Sequence, residues 1–187
     1  MANKYEKIVT PVFRVSYPSV FEPSAMEGNT DKKYSVTMLI PKTENIDALK
    51  ALVIKARDDK WPDPAKRPKN LRSPIRDGDL EKPDVDGYKG CWFITARNKS
   101  RPGLVDQKRQ PILSVDDFYA GCFARASVTA FGYDKSGNRG VALSLQNVQK
   151  VKDGDPFSGR GKAEDDFGDV PVDTAGAATA ASTDDFI

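Results

Sequence analysis

Gly121 to Tyr133 is the longest alternating stretch in the chain, and no other segment limits the fold as much. Successive side chains of a strand point to opposite faces, so Cys122, Ala124, Ala126, Val128 and Ala130 share one side. These are small residues for a core, so whatever packs on them approaches closely, as in the tight interior of a small barrel. The other side carries Phe123, Arg125, Ser127, Thr129, Phe131 and Tyr133, aromatics mixed with a cation. Asp134-Lys135-Ser136-Gly137-Asn138 supplies a turn and Val141 to Val151 a returning strand, which makes a long hairpin.

The remaining segments fit around that hairpin. Residues 8–17 are rich in β-branched and aromatic side chains and predict a strand, with Pro11 at an edge or bulge because it cannot donate to a ladder. Residues 18–32 read as a loop punctuated by Pro18, Pro23 and Gly28. Lys33 to Pro41 alternates Tyr34, Val36, Met38 and Ile40 against Ser35 and Thr37, a half-buried strand stopped by proline. The period then changes. Ile46, Leu49, Val53 and Ala56 fall on one face of a helix that ends before Pro62. Trp61 to Pro83 holds five prolines and few large aliphatics, and reads as an extended loop. Gly90 to Ala96 predicts a strand with Trp92, Ile94 and Ala96 on one face and Cys91, Phe93 and Thr95 on the other. Short strands are expected at 103–106 and 111–115, after the Pro102-Gly103 break. Five or more strands with one helix and long loops make a mainly-β barrel over residues 1–152. Residues 153–187 are expected to be a flexible, disordered acidic tail, with an Ala/Gly/Thr spacer from Ala175 to Ala181.

Charge is divided in the same way. All 29 lysines and arginines precede residue 163, whereas Glu164, Asp165, Asp166, Asp169, Asp173, Asp184 and Asp185 follow it. The body therefore sets 29 cations against 20 carboxylates, a net +9 hidden inside an overall +2. A basic body with an acidic tail marks a polyanion-binding domain that carries an interaction segment. The segment closes on Asp184-Asp185-Phe186-Ile187, which suits docking to a partner protein through a shallow apolar pocket rimmed by cations. Polar Met1 to Lys7 offers no secretory signal, and no run approaches the roughly 18 apolar residues of a membrane span. An intracellular, cytoplasmic location is expected. Cys91 and Cys122 then read as small buried thiols in a reducing compartment.

Histidine is absent, which removes the commonest general base and metal ligand. The run Asp77 to Gly87 fails as a calcium loop: its sixth position is Lys82, not glycine, and its twelfth is Tyr88, not glutamate. Asp58-Asp59 and Asp116-Asp117 are adjacent carboxylates that point apart, so a metal-dependent nuclease is the weaker alternative. Ser158-Gly159-Arg160-Gly161-Lys162 lacks the spacing of a phosphate loop. No metal, cofactor or catalysis is expected. What the chain does carry is Tyr88 to Pro102, in which Phe93 shares a strand face with Arg97, and Lys99 and Arg101 follow on the exit loop. Single-stranded nucleic acid needs both parts of that pattern, flat rings for unpaired bases and cations for phosphates. Phe123, Arg125 and Phe131 repeat the chemistry on the longest strand. Trp92, facing Ile94 and Ala96, is expected in the core.

At these residues the chain resembles the phage-encoded single-stranded-DNA-binding proteins, which join an OB-fold to an acidic tail ending in an aromatic. The resemblance runs through Lys33-Tyr34-Ser35-Val36-Thr37-Met38-Leu39-Ile40-Pro41-Lys42 and Gly87-Tyr88-Lys89-Gly90-Cys91-Trp92, then Arg101-Pro102, Phe118-Tyr119-Ala120-Gly121-Cys122, Gly140-Val141 and Asn147-Val148-Gln149. It implies an OB-fold-like five-stranded barrel that coats exposed single-stranded DNA during phage replication or recombination, in the host cytoplasm. It also implies a tail that recruits a polymerase or helicase. The tail is similar in kind to that of bacterial single-stranded-DNA-binding proteins, but finishes on Phe-Ile instead of Pro-Phe. The helix departs too, falling between the second and third strands where a plain OB-fold has it between the third and fourth. An RNA-binding or strand-annealing module stays open as the other use of the same aromatics, and a homo-oligomer stays open as its assembly.

Overall fold

The computed structural model of the chain describes residues 6–157, apart from 26, 27 and 29. The elements run β1 (Lys7–Val9), β2 (Phe13–Ser24), β3 (Lys33–Pro41), α1 (Asp47–Lys60), β4 (Ile75–Asp77), α2 (Gly78–Glu81), β5 (Cys91–Asn98), β6 (Gly103–Val105), β7 (Phe123–Lys135) and β8 (Asn138–Lys152). The tail motif Asp184-Asp185-Phe186-Ile187 and the run 158–162 lie outside the described residues.

Five strands close on themselves. β2 pairs β3, β3 pairs β5 and β7 pairs β8, all antiparallel; β5 pairs β8 in parallel, and β7 returns to β2. In chain order the barrel strands meet as first, second, third, fifth, fourth and first again. That Greek-key closure, with its single parallel seam, is the OB-fold expected above. The long hairpin is present: thirteen pairs join β7 to β8, from Phe123↔Lys152 to Lys135↔Asn138. Cys122, Ala124, Ala126, Val128 and Ala130 are all buried. They face Phe13, Val15, Val36, Met38, Ile40, Ile94, Leu143 and Leu145 across one core. Small residues on the hairpin leave room for these large ones, at the close packing protein interiors require.

The helix lies between the second and third barrel strands, as its sequence position dictates, and closes one side of the core with Ile46, Leu49, Leu52 and Ala56. Its buried face is turned slightly from the expected one: Leu52 is buried and Val53 only half-buried. Asn45 Oδ1 accepts from the Asp47 amide (2.8 Å) at the start, and the helix ends at Lys60, directly before Trp61-Pro62. It crosses β7 at Gly132, where a Cβ would stand 2.5 Å from Lys60 Cβ, so only glycine allows that approach.

Several local expectations need correction. The strand expected at 8–17 breaks near Pro11 into β1, which pairs β7, and β2. β2 then runs through Pro18 and Pro23, where a loop was expected. Its ladder with β7 ends at Arg14, and Val15 makes the last bonds on that edge, donating to Cys122 O and accepting from the Gly121 amide (both 2.8 Å). Beyond Val15 the edge is open and a missing N–H costs no ladder bond. Register jumps between Ser16 and Ser19, and again between Ser19 and Ser24, absorb the irregularity. The extended loop from Trp61 to Pro83 contains β4, paired to β5, and the single turn α2. The strand expected at 111–115 is only a bridge from Val105 to Pro111, followed by a 3₁₀ turn at Val115–Asp117. Residues 153–157, assigned to the tail by composition, are fastened to the barrel. The Phe157 amide donates to Ala120 O (3.1 Å), and Arg14 donates to Asp155 O (2.6 Å) while lying 4.1 Å over the Phe157 ring.

Candidate nucleic-acid interface

Because side chains alternate, β3 and β5 bury Val36, Met38, Ile40, Ile94 and Ala96 and turn Ser35, Thr37, Leu39, Phe93, Thr95 and Arg97 outward. The two outward rows face each other in register: Ser35 with Arg97, Thr37 with Thr95, Leu39 with Phe93. The threonine hydroxyls bond each other at 2.9 Å. The floor is therefore hydroxylic in the middle, cationic at one end and aromatic at the other.

At the aromatic end Leu39, Tyr88 and Phe93 form a second, small apolar cluster. The Tyr88 and Phe93 rings meet edge-on at 5.3 Å, and Tyr88 Oη bonds Ser16 Oγ at 3.3 Å. Burial pushes the Tyr88 phenol above its ordinary value, so the ring stays neutral. Cations lie over this cluster: Arg76 is 4.7 Å from the Phe93 centroid, and Lys82 is 5.0 Å from that of Tyr88. Lys82 also stands 5.9 Å from Tyr17, whose ring is 66% exposed on a backbone with φ of 43°. A tyrosine in the left-handed region is held there by its surroundings, and such residues cluster at binding sites.

Arg76 and Lys82 owe their positions to a clamp beneath them. Lys42 at the end of β3 donates to Asp77 (2.6 Å) and Asp79 (2.7 Å), while Asp79 also accepts from the Gly90 amide (2.8 Å). Asp77 caps α2 by accepting from the Asp79 amide (2.9 Å). These bonds hold both carboxyls below, and the ammonium above, their ordinary values. The run that failed as a calcium loop is thus a structural tie. It pins β4 and α2 across the sheet, with Lys42 also lying 4.9 Å over Trp92.

From Arg97 the groove continues past Lys33, Lys99, Phe131, Tyr133 and Lys135. Partial burial lowers the Arg97 guanidinium from its ordinary value, though far too little to discharge it at neutral pH. Lys99 stands 3.3 Å from Asp31. Tyr88, Phe93, Arg97, Lys99 and Phe131 thus converge on one face. Phe123 and Arg125 do not. They lie at the far end of β7, where Lys152 covers Phe123 at 4.6 Å and Arg125 bonds Gln149 at 2.8 Å. Arg101 stands over Phe21 at 6.0 Å, outside the groove lining. Sequence reasoning missed Tyr17, Lys33, Arg76, Lys82 and Tyr133. Two of these carried a signal. Tyr133 shares the alternating face of Phe131, and Arg76 is the last of five cations (Lys66, Arg67, Lys69, Arg72, Arg76) set against one acid, Asp63, in the first half of the 61–83 loop.

Among the described residues no three His, Cys, Asp or Glu side chains are grouped to hold a metal ion. Asp58 is bonded by Arg57 (2.7 Å) and Arg67 (3.0 Å), and Asp116 lies in the 3₁₀ turn. Cys122 is buried and Cys91 half-buried, both as thiols. No described helix is long and apolar enough to cross a membrane.

Comparison with known proteins gives this geometry relatives. The family model described as the ssDNA-binding protein of Enterobacter phage Enc34 matches residues 6–179. The p50 protein of Acyrthosiphon pisum secondary endosymbiont phage 1 is 37% identical over 170 residues, 85% of this chain and 91% of its own. The bacteriophage Enc34 single-stranded DNA-binding protein, solved in complex with ssDNA, superposes with a TM-score of 0.71 at 26% identity, covering 81% of this chain and 89% of that one. The gp2.5 protein of bacteriophage T7, a single-stranded DNA-binding protein, shares the fold at a TM-score of 0.60 and 16% identity, covering 87% and 99%.

Proposed function

This chain belongs to the phage Enc34 ssDNA-binding protein family, and we propose that it binds single-stranded DNA, without catalysis, in the groove over β3 and β5. One observation carries the assignment: the outer face of the second and third barrel strands joins an exposed ring, hydroxyls and a row of cations in a single groove. That face of an OB-fold is the one that takes oligonucleotides. Tyr17 and Phe131 offer the exposed rings; Lys33, Arg76, Lys82, Arg97 and Lys99 face the phosphates. Tyr88 and Phe93 act from below, as the packed base on which Arg76 and Lys82 rest.

The cellular role that suits such an activity is covering exposed strands during phage replication or recombination, in the host cytoplasm. The Asp184–Ile187 segment would recruit a polymerase or helicase to the coated strand. Both readings rest on the acidic–aromatic sequence and on the class of protein, and each has its own test.

Titration of labelled oligo-dT, oligo-rU and a duplex of equal length, at several salt concentrations and with magnesium, tests the activity. Tight binding to oligo-dT is expected, with log K falling against log salt at about −0.7 per phosphate neutralised, and no cleavage. Preference for oligo-rU would make this an RNA-binding module, since contacts to the 2′-hydroxyl are required for that choice. Cleavage with magnesium would make it a nuclease. Capture of a replication protein by the full chain, lost on Phe186→Ala, tests recruitment.

A further inference from the structure

A second groove adjoins the first, between α1 and the chain entering β4. Its floor is apolar, made by Val53, Ile54, Leu71, Ile75 and Val141, with Ile54 48% exposed. Its rim is cationic: Lys50 and Arg57 from α1, then Arg67, Lys69 and Arg72 from the chain entering β4. Asp58 bonds Arg57 and Arg67, and Asp47 stands 4.0 Å from Lys50. Lys69 and Arg72 have no carboxylate partner among the described residues. An apolar floor flanked by two unneutralised cations selects a ligand that is apolar at its centre and anionic at its edge. A nucleic acid strand answers that description poorly here, because no aromatic ring lines the groove for a base to stack on.

The chain itself contains the complementary sequence. In Asp184-Asp185-Phe186-Ile187 two carboxylates precede two adjacent large apolar side chains. Asp165-Asp166-Phe167 repeats the acidic half, but is followed by Gly168 and offers one ring to a floor with room for more. Thirty residues follow Phe157. Fully extended they reach about 100 Å, beyond any point on a domain of this size. We propose that the groove between α1 and the Arg67–Ser73 segment is the docking site for Asp184–Ile187 of this protein, from the same chain or a second copy. This holds whether or not the β3–β5 groove binds DNA, and it gives the tail a resting place other than that groove. The two sites are neighbours: Arg72, Ser73, Ile75 and Val141 also line the surface leading from this groove to Arg97 and Tyr133.

The test uses the full chain with a photo-reactive benzoylphenylalanine in place of Ile54. That position is half-exposed, and a thermal melt checks that the fold survives. After irradiation without DNA, mass spectrometry locates the cross-linked peptide. The expected product joins residue 54 to the peptide containing 184–187. Its yield should fall to background on Phe186→Ser with Asp184→Asn and Asp185→Asn, and fall severalfold on Lys69→Glu with Arg72→Glu. Mixing isotopically heavy and light protein then shows whether one copy or two are joined, and either result supports the site. Cross-links scattered along the chain, or to residues 165–167, would overturn the assignment. So would a yield indifferent to the charge reversals, or a product with added oligo-dT in place of the tail.

Discussion

A ring is useful to an unpaired base only if its face is open, and burial separates the aromatics of this site into two kinds. Phe93 is 3% exposed and Tyr88 1%, beneath Arg76 and Lys82, so truncating either opens a cavity. Phe93→Ala should cost about 3–5 kcal/mol of stability, as core Phe→Ala changes do, and its binding loss will not be separable from that. Tyr17 and Phe131 are exposed at 66% and 37%, and are the clean probes. Tyr17→Ala and Phe131→Ala should each weaken oligo-dT binding by about 1–3 kcal/mol with the melting temperature nearly unchanged. A melting loss equal to that of Phe93→Ala would mean these rings are packing residues. The alternation of residues 91–97 was enough to put Phe93 and Arg97 on one face and Trp92 on the other. It could not reveal that Phe93 lies under two cations, because those come from β4 and α2, distant in sequence. Nor could it find Tyr17, whose exposure follows from a bulge and a positive φ. The clamp at Lys42 gives a second residue-scale prediction. Asp77 and Asp79 titrate below their unfolded values, so their contribution to stability is present above about pH 4 and is lost as pH falls through their folded values. Lys42 titrates above its unfolded value, so its share persists at neutral pH and is lost only as pH rises past it. Lys42→Met should therefore flatten the acid limb of a melting-temperature profile below pH 4, leaving the shape between pH 5 and 8 unchanged.

Elements were legible where one period runs long enough to outvote local breakers. The hairpin of β7 and β8 and the strand β3 satisfy that, as does α1, whose boundary before Pro62 follows from proline chemistry. In the sequence Pro18 and Pro23 cut β2 short, because they signal a loop wherever both strand edges are paired. Only the topology shows that β2 has an open edge there. β4 and α2 carry too few residues to show any period, and exist because β5 offers β4 an edge to pair with. The barrel's closure was legible only as a class, from small residues on one hairpin face; its strand order is a set of long-range pairings. Beyond β8, composition alone assigns residue 153 onward to the tail, but two glycines reveal a built junction. A Cβ on Gly121 would meet Asp155 O at 2.1 Å, and one on Gly154 would meet Gly121 O at 2.3 Å. Gly121 also has φ of 115°, a conformation side chains disfavour. Gly121→Ala must therefore detach residues 153–157 or distort the start of β7. The expected result is a loss of about 1–3 kcal/mol, with faster amide exchange at Phe157, which now donates to Ala120 O. Unchanged exchange at Phe157 would mean that the junction is not fastened by this contact.

At the scale of the whole molecule the governing quantity is charge, +9 on residues 1–162 against seven carboxylates in 163–187. Phosphates and tail carboxylates are alternative counterions for the same cations, so the tail should lower the free energy to be gained by binding a strand. The effect depends on salt in a way that packing does not. The screening length is about 30 Å at 0.01 M and about 3 Å at 1 M, so competition across the domain survives only in dilute salt. Deleting residues 163–187 should tighten oligo-dT binding at low salt and leave it nearly unchanged at high salt, making the log–log salt slope steeper. Docking in the α1 groove adds a second, separable expectation. If Asp184–Ile187 rests beside Arg72, then Lys69→Glu with Arg72→Glu releases it, and full-length and truncated proteins carrying those changes should still differ through charge alone. Asp→Asn at the six tail aspartates together with Glu164→Gln keeps the length and removes the side-chain charge. It should reproduce the deletion in the salt series, because competition by charge does not need Phe186 or Ile187. A neutralised tail that binds oligo-dT like the unaltered protein at 0.01 M salt, while the deletion binds more tightly, would assign the effect to steric bulk and overturn the electrostatic reading.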